Sequence, residues 1–353
     1  MAVTVEATES TEWGKYERRY VGSHDNGKLN FGVQPVFSSH RSGWQYAMDA
    51  LLPLHNSNGV KFDGFLENNF TWNYEWYIKQ KKDISPYKEP WIGFFHNPAN
   101  YPEWFMGHNS LDKIIKKKLF KQSMKQCLGL YTLSTSLAEY LRSKLKVNVN
   151  VTYHPTETPE TLFNFNSYIS QKKKRIVSIG YWLRKLNSIY MLPLHRFSGF
   201  TKHRLIPYTA KNPRKTIDSL VEKERTEEGI CIPDAYAENT YNMDRLDDDG
   251  YDQLLSNSVV FLDLYDSSAN NAVIECMVRG TPIVINRIPS TEEYLGKDYP
   301  LFFDNLDHAR ELIKDDHMIL KGHEYLLNCE MRPKLSGEYF LNSVINSDIY
   351  KSL

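Results

Sequence analysis

The chain has 353 residues, enough for two domains of ordinary size with a sizeable buried core. Lys plus Arg equals Asp plus Glu at 43 each, so no global attraction to nucleic acid is built in and no nucleic-acid partner is expected. No apolar run approaches the roughly 20 residues of a membrane-spanning helix.

The first ten residues lack the basic-then-apolar layout of a signal peptide. Cys127, Cys231, Cys276 and Cys329 are scattered without Cys-x-x-Cys pairs or neighbouring histidines. Buried reduced thiols and a cytoplasmic location are the expectation. The sequons at Asn69 and Asn150 carry no meaning without secretion. The 23 Tyr, 17 Phe and 7 Trp suit a carbohydrate ligand, although most such rings fill cores.

In chain order, residues 1–30 are polar and predict an irregular or edge segment. A strand is predicted over 33–38, then Ser39-His40-Arg41-Ser42-Gly43, then a helix over 44–54. Strand, Gly-bearing loop and helix make the opening unit of a Rossmann-like half. Strands follow over 60–67 and 89–95, the second ending in His96-Asn97-Pro98. Residues 111–128 predict one basic amphipathic helix. A lysine-rich face of that kind is usually a solvated surface; the alternative is weak contact with an anionic membrane surface. A short strand at 130–133, a helix at 136–145 and a strand at 147–153 close this half.

The segment 155–174, with turn residues and the run Lys172-Lys173-Lys174-Arg175, predicts the crossing into a second domain. Strands are expected over 175–180, 205–208, 259–264 and 283–285, and near Leu301. Helices are expected within 181–192 and over 216–226, 251–256, 272–278, 307–313 and 318–328. Alternation of strands and helices in both halves predicts an α/β fold of two doubly wound domains. The expected boundaries are 1–155 and 156–336, with 337–353 packing back on the first domain.

The stretch 263–286 is the most informative. An apolar strand ends in a polar turn, then a helix that Gly280 and Pro282 stop, then a second apolar strand. The turn at Ser267, Ser268, Ala269, Asn270 and Asn271 therefore sits at the carboxyl end of a parallel strand and faces a helix N-terminus. Open α/β sheets bind ligands there, and exposed backbone N–H groups hold phosphate. Ala272 opens the helix and Glu275 lies one turn in, placed to accept hydrogen bonds from a ribose; the bland alternative is a solvent-facing carboxylate. The run Asp247-Asp248-Asp249 reads as a solvated turn, and no catalytic metal is expected.

These residues resemble the GT-B glycosyltransferases, and among them the retaining enzymes of glycosyltransferase family four. The best match is 251–296: a short helix, the strand, the polar turn, Glu275, Gly280-Thr281-Pro282 and Glu293-Tyr294-Leu295-Gly296. The resemblance implies two Rossmann-like domains facing a cleft that holds a nucleotide-sugar donor. It assigns Glu275, the second glutamate of the family's Glu-x7-Glu motif, to the ribose hydroxyls. The first glutamate is replaced by Ser267, with Asp266 beside it. The loop Gly180-Tyr181-Trp182-Leu183-Arg184-Lys185 resembles the one that supplies cations to the phosphates, with Tyr181 where the family has Arg. Arg184 and Lys185 are the candidates for neutralising the leaving diphosphate. By the same resemblance His96 contacts the donor sugar, Ser42 and Gly43 lie nearest the acceptor and the diphosphate, and Ser134 is a cleft position.

The implied function is a metal-independent retaining transfer of a hexose from GDP-mannose or a UDP-hexose to a glycan or glycoconjugate acceptor, with no cofactor. The departures mark a divergent member, a virus-encoded one included; a homo-oligomer is left open. Two other readings stand beside it: a GT-B-shaped sugar-nucleotide epimerase or inverting transferase, and a carbohydrate-binding protein without activity.

Overall fold

A computed structural model describes residues 3–10, 15–35, 43–72, 86–105, 107–206 and 214–353. The chain divides into two units. The first comprises Met1–Tyr101, Met106–Thr156 and Lys334–Leu353; the second comprises Pro102–Phe105 and Glu157–Pro333. Each is an α/β unit around a parallel sheet, as the alternating pattern requires.

The first unit begins with strands β1 (Thr4–Ser10) and β2 (Lys15–Val21), an antiparallel pair where an irregular segment was expected. β3 (Leu29–Asn30) enters the parallel sheet, and β4 (Val33–Pro35) leaves it to pair antiparallel with β2. Gly32, at φ 53°, turns the chain between them in a conformation that costs glycine little. The strand read at 33–38 is thus not the opening strand of the Rossmann-like sheet. That place belongs to β3, too short to show a hydrophobic period. Residues 36–42, including the candidate Ser42, lie outside the described residues.

The parallel sheet continues with β5 (Val60–Asp63), β6 (Trp91–Phe95), β7 (Cys127–Thr132) and β8 (Val149–Val151), in the order β3-β5-β6-β7-β8. β6 is buried at every position, which explains its unbroken apolar run. β5 ends at Asp63, four residues before the predicted strand does. The helix expected over 44–54 runs over Gly43–Ala50, and a 3₁₀ turn takes Leu52–Leu54, where Pro53 ends the helical ladder.

The single helix expected over 111–128 is two, Leu111–Lys116 and Lys118–Ser123, separated at Lys117 by extended backbone (ψ 137°). Leu111, Ile114, Ile115 and Phe120 all enter the unit's own core, so the apolar side of this segment is spent internally while Lys113, Lys116 and Lys121 face water. The last helices, Gly337–Ile345 and Asp348–Lys351, pack within the first unit. Phe340 lies 6.0 Å ring to ring from Phe94 and 6.1 Å from Trp44. Ile349 presses so closely on Gly129 that a Cβ there would stand 2.6 Å from it.

The second unit carries β9 (Lys174–Ile179), β10 (Phe200–Leu205), β11 (Thr240–Met243), β12 (Val259–Leu262), β13 (Ile283–Asn286) and β14 (Phe302–Phe303). Every pair is parallel and the order is β11-β10-β9-β12-β13-β14. β10 precedes the weak strand read at 205–208 and shares only Leu205 with it. The strand order reverses between β9 and β12, the arrangement of a dinucleotide-binding sheet. At such a reversal the two outgoing loops leave in opposite directions and open a crevice at the carboxyl ends of the strands. Here the segments that follow the two strands are 180–186 and 263–270, and they meet in an antiparallel bridge between Arg184 and Leu264.

The helix Arg214–Glu227 follows the segment 207–213, which is outside the described residues. Asp247 is not in a plain turn: its Oδ1 accepts from Gly250 N at 2.8 Å and caps the helix Asp248–Ser256. The four cysteines are free thiols. Among the described residues no helix is long and apolar enough to cross a membrane.

Candidate functional site

The helix Asn271–Arg279 starts one residue before the predicted start and ends at Gly280 with φ 67°. A Cβ on Gly280 would meet Leu327 at 2.8 Å, so both conformation and space call for glycine. The helix N-cap is Asn270, whose Oδ1 accepts from Ala272 N at 3.1 Å. The same oxygen accepts from Arg184 Nη2 at 3.0 Å, which joins the two crevice loops. Asn270 is 6% exposed, and its Nδ2 is buried without a hydrogen-bond partner. An amide donor in that state costs free energy unless something accepts from it.

Arg184 lies in a loop of unusual backbone. Gly180 has φ 80° and Leu183, a non-glycine residue, has φ 53°. Leu183 O accepts from Tyr265 N at 3.0 Å and Lys185 N donates to Asp263 O at 2.8 Å, so the loop is laced to the end of β12. Left-handed leucine is strained, and such strain persists where surrounding bonds over-determine it. The guanidinium donates to Ile179 O (3.1 Å) and Trp182 O (2.7 Å) as well as to Asn270. It makes no carboxylate ion pair among the described residues. Burial pushes its pKa down to about 10, which leaves it protonated near neutrality.

Lys185 is differently placed. Its Nζ stands 2.9 Å from Asp263 Oδ1, while Asp263 Oδ2 accepts from Ser188 Oγ at 2.8 Å. Its charge is therefore answered within the chain. Ser267 donates its backbone N–H to Asp266 Oδ1 (2.8 Å), and its hydroxyl meets Ser290 Oγ at 2.7 Å. Ser268 is 1% exposed. Of the polar donors read from the turn, the N–H groups of Ser267 and Ala272 are thus engaged locally, and Asn270 Nδ2 is not. Asn271 is the first residue of the helix.

Glu275 is 3% exposed, so it is no solvent-facing carboxylate. Its Oε2 accepts from Tyr251 Oη at 2.5 Å. Burial pushes the carboxyl up to about 7, against the lowering effects of that hydrogen bond and of Arg279 and Arg184.

Glu224 was not visible as a site residue, yet it braces the crevice. It is fully buried in the helix Arg214–Glu227. Its carboxylate accepts from Leu186 N (3.0 Å), Asn187 N (2.7 Å), Asn187 Nδ2 (2.7 Å) and Tyr265 Oη (2.7 Å). The signal was present in the sequence: Ile217, Leu220, Val221 and Glu224 share one helix face at spacings of three, four and seven. A glutamate on an apolar stripe points inward. Trp104 adds to this side, donating Nε1–H to Glu228 Oε1 at 2.9 Å with its ring edge on Tyr265.

In the first unit, His96 follows β6. Its ring stacks on Phe65 (centroids 3.8 Å, 5° between planes) and meets Trp44 edge-on at 4.2 Å. Nε2 lies 2.9 Å from Gly64 O, and since a carbonyl only accepts, Nε2 carries the proton. Burial pushes the imidazole pKa down to about 3, which keeps the ring neutral with Nδ1 as its lone-pair nitrogen. Glu67, fully buried, takes His96 N (2.7 Å) and Asn97 N (2.6 Å) on Oε1. It lies inside the span read as strand 60–67, where nothing local marks it as a brace. Gly43, at φ 56°, is the buried first residue of its helix. Ser134 is the N-cap of Thr135–Lys144, accepting from Leu137 N at 3.4 Å.

Among the described residues no group of three or more His, Cys, Asp or Glu side chains is gathered as a metal site. No protein-family model matches the chain, and no curated protein matches it. Solved structures do. An α,α-trehalose-phosphate synthase (UDP-forming) from Burkholderia vietnamiensis aligns at TM-score 0.55 with 12% identity, over 88% of this chain and 75% of that one. A trehalose-6-phosphate synthase studied with bisubstrate glycomimetics for glycosyl transfer with retention aligns at 0.53 with 13% identity, over 89% and 80%. A TarM mutant of S. aureus, in complex with fondaparinux, α-GlcNAc-glycerol and UDP, aligns at 0.51 with 13% identity, over 73% and 50%. At such identities the likeness concerns the fold. The chain has the GT-B fold, with two Rossmann-like units.

Proposed function

We propose that this chain is a retaining glycosyltransferase that moves a hexose from a nucleoside-diphosphate sugar to a glycan or glycoconjugate acceptor, without a metal ion. The observation that carries the reading is the junction of Asn270 and Arg184. A buried amide donor without a partner and a cation hydrogen-bonded only to neutral oxygens meet at a helix N-terminus, beside the strand-order reversal. That combination suits a diphosphate: the anion supplies the missing acceptor for Asn270 Nδ2 and a directly hydrogen-bonded counter-charge for Arg184, on which Glu275 acts only through space.

In this reading Asn270, Arg184 and the first turn of the helix, from Asn271, stabilise the charge that grows on the diphosphate as the glycosidic bond breaks. Lys185, tethered to Asp263, adds positive potential near the same anion. Ser267 and Ser268 shape the turn around it, and Glu275 accepts from the ribose. The leaving phosphate oxygen takes the acceptor hydroxyl's proton during front-face attack, so no protein nucleophile is required. His96, neutral and with its proton committed to Gly64 O, serves as a hydrogen-bonding contact for sugar hydroxyls rather than as the base. Gly43 lies at the acceptor-side helix start. The location is cytoplasmic.

The Burkholderia synthase is UDP-forming and the TarM complex contains UDP, which favours a UDP-hexose over GDP-mannose as donor. The replacement of the first motif glutamate by Ser267, bonded to Ser290, and of the family's Arg by Tyr181 favours binding without turnover. Calorimetric titration with UDP, GDP and their hexose conjugates, followed by donor hydrolysis, tests the whole proposal. A nucleotide bound at submillimolar Kd is expected, with Asn270→Ala weakening it about tenfold. Failure of every nucleotide to bind overturns the reading; tight binding with no turnover supports the non-catalytic one.

A further inference from the structure

The pair Tyr251–Glu275 has a consequence for which nucleotides the site accepts, and it rests on the donor-site reading above. Tyr251 lies in the helix Asp248–Ser256, and its hydroxyl donates to Glu275 Oε2 at 2.5 Å. The tyrosine is itself held. The Arg279 guanidinium, fully buried, sits 5.8 Å from the Tyr251 ring, donates Nη1–H to Glu275 O (3.0 Å) and Nη2–H to Asp252 Oδ1 (2.5 Å). Asp252 and Tyr251 are on the same helix, so the arginine ties that helix to Asn271–Arg279. Glu275 Oε1 has no hydrogen bond among the described residues.

We infer that Tyr251 is a positioning residue that occupies one carboxylate oxygen of Glu275 and aims the other at the ribose, so that the site selects ribonucleoside over 2′-deoxyribonucleoside diphosphate donors. The physical reason is the state of the carboxylate. Glu275 is buried, and a buried carboxylate oxygen needs donors. With Oε2 satisfied by Tyr251, the remaining demand falls on Oε1, and the two vicinal hydroxyls of a ribose converge on it. A 2′-deoxyribose brings one donor fewer to an oxygen that no donor of the described residues reaches. Sites built to hydrogen-bond a substrate hydroxyl reject the analogue that lacks it for this reason. Without the tyrosine hydroxyl, the carboxylate is free to rotate and share two oxygens, and the single-oxygen geometry is lost.

The test is calorimetric titration of the full chain with UDP and with 2′-deoxy-UDP, for the parent, Tyr251→Phe and Glu275→Gln. The parent should prefer UDP by about tenfold or more, and Tyr251→Phe should bind UDP more weakly with the preference reduced to about threefold or less. Glu275→Gln keeps an acceptor for the Tyr251 hydroxyl and removes the charge, and it should lose the preference as well. A second readout separates positioning from plain packing. Tyr251 lowers the carboxyl pKa, so the midpoint of UDP affinity against pH should move upward in Tyr251→Phe. The charged and titratable groups facing the pair, Arg279, Asp252, Arg184 and the Cys276 thiol, stay unchanged between the two proteins. An unchanged UDP to 2′-deoxy-UDP ratio in either variant overturns the inference, even if thermal stability falls. If no nucleotide binds the parent, the donor-site reading itself fails, and this inference with it.

Discussion

The two parallel sheets are made of similar apolar strands, yet their carboxyl ends differ. In the second unit the strand order reverses between β9 and β12, and the segments 180–186 and 263–270 that follow those strands are hydrogen-bonded to each other. In the first unit the described strands follow one another in sequence order, and the end of β6 is closed over by rings: Phe65, His96 and Trp44. Both ends nevertheless hang from a fully buried glutamate that accepts two successive backbone N–H groups. Glu224 takes Leu186 and Asn187; Glu67 takes His96 and Asn97. Glu224 is saturated by Asn187 Nδ2 and Tyr265 Oη, whereas Glu67 Oε2 is buried without a hydrogen bond. One device, a buried carboxylate gripping consecutive amides, thus fixes a loop in each unit.

The largest expected effect comes from breaking the saturated brace. Glu224→Ala leaves two buried amides, an Asn side chain and a tyrosine hydroxyl without their acceptor, and should cost about 3–5 kcal/mol in urea unfolding. A loss below about 1 kcal/mol means the loop is held by something else, and the parallel between the units falls.

Glu67→Gln sharpens the comparison, because glutamine keeps a carbonyl acceptor for His96 N and Asn97 N. Its cost at pH 5 should stay within about 1 kcal/mol. The pH dependence carries more information. Burial pushes the Glu67 carboxyl up to about 7, from an ordinary value near 4.5. A raised carboxyl contributes stability that is fully present below the unfolded value and lost as pH rises through the folded one. The parent's stability should therefore fall between pH 4.5 and 7, with Glu275 contributing in the same direction, and Glu67→Gln should flatten part of that slope. Identical slopes in denaturation at pH 5, 6 and 7 exclude a buried Glu67.

The smallest effect is Phe65→Leu. It removes the stack under His96 while keeping an apolar residue, and should cost about 0.5–1.5 kcal/mol. A shift of the His96 ring signals in NMR, with the Gly64 hydrogen bond retained, is the expected signature; no shift means the stack does not set the ring's place.

Much of the second unit was legible from the chain. Val259 to Leu262 and Ile283 to Ile285 are apolar runs between turn residues, and such runs become buried parallel strands because both faces are covered. Gly280 and Pro282 marked the end of the helix through chemistry that is local, whereas Asn270 as its N-cap came only from the structure. The first unit was less legible where local signals mislead. The run beginning at Val33 looks like any opening strand, but its partner is β2, and a two-residue strand, β3, takes the expected place. The break at Lys117 divides a segment whose composition reads as one continuous helix.

What the amino-acid order determined by itself was set by neighbours a few residues apart: the α/β alternation, a helix read at 272–278, its stop at Gly280 and the polar turn before it. What only the tertiary structure decided was which polar groups meet. Tyr251 finds Glu275 across 24 residues, Glu67 finds His96 across 29, Glu224 finds Asn187 across 37 and Arg184 finds Asn270 across 86. Those partnerships depend on burial and strand order, and burial is what turns an ordinary glutamate or asparagine into a group that must be answered.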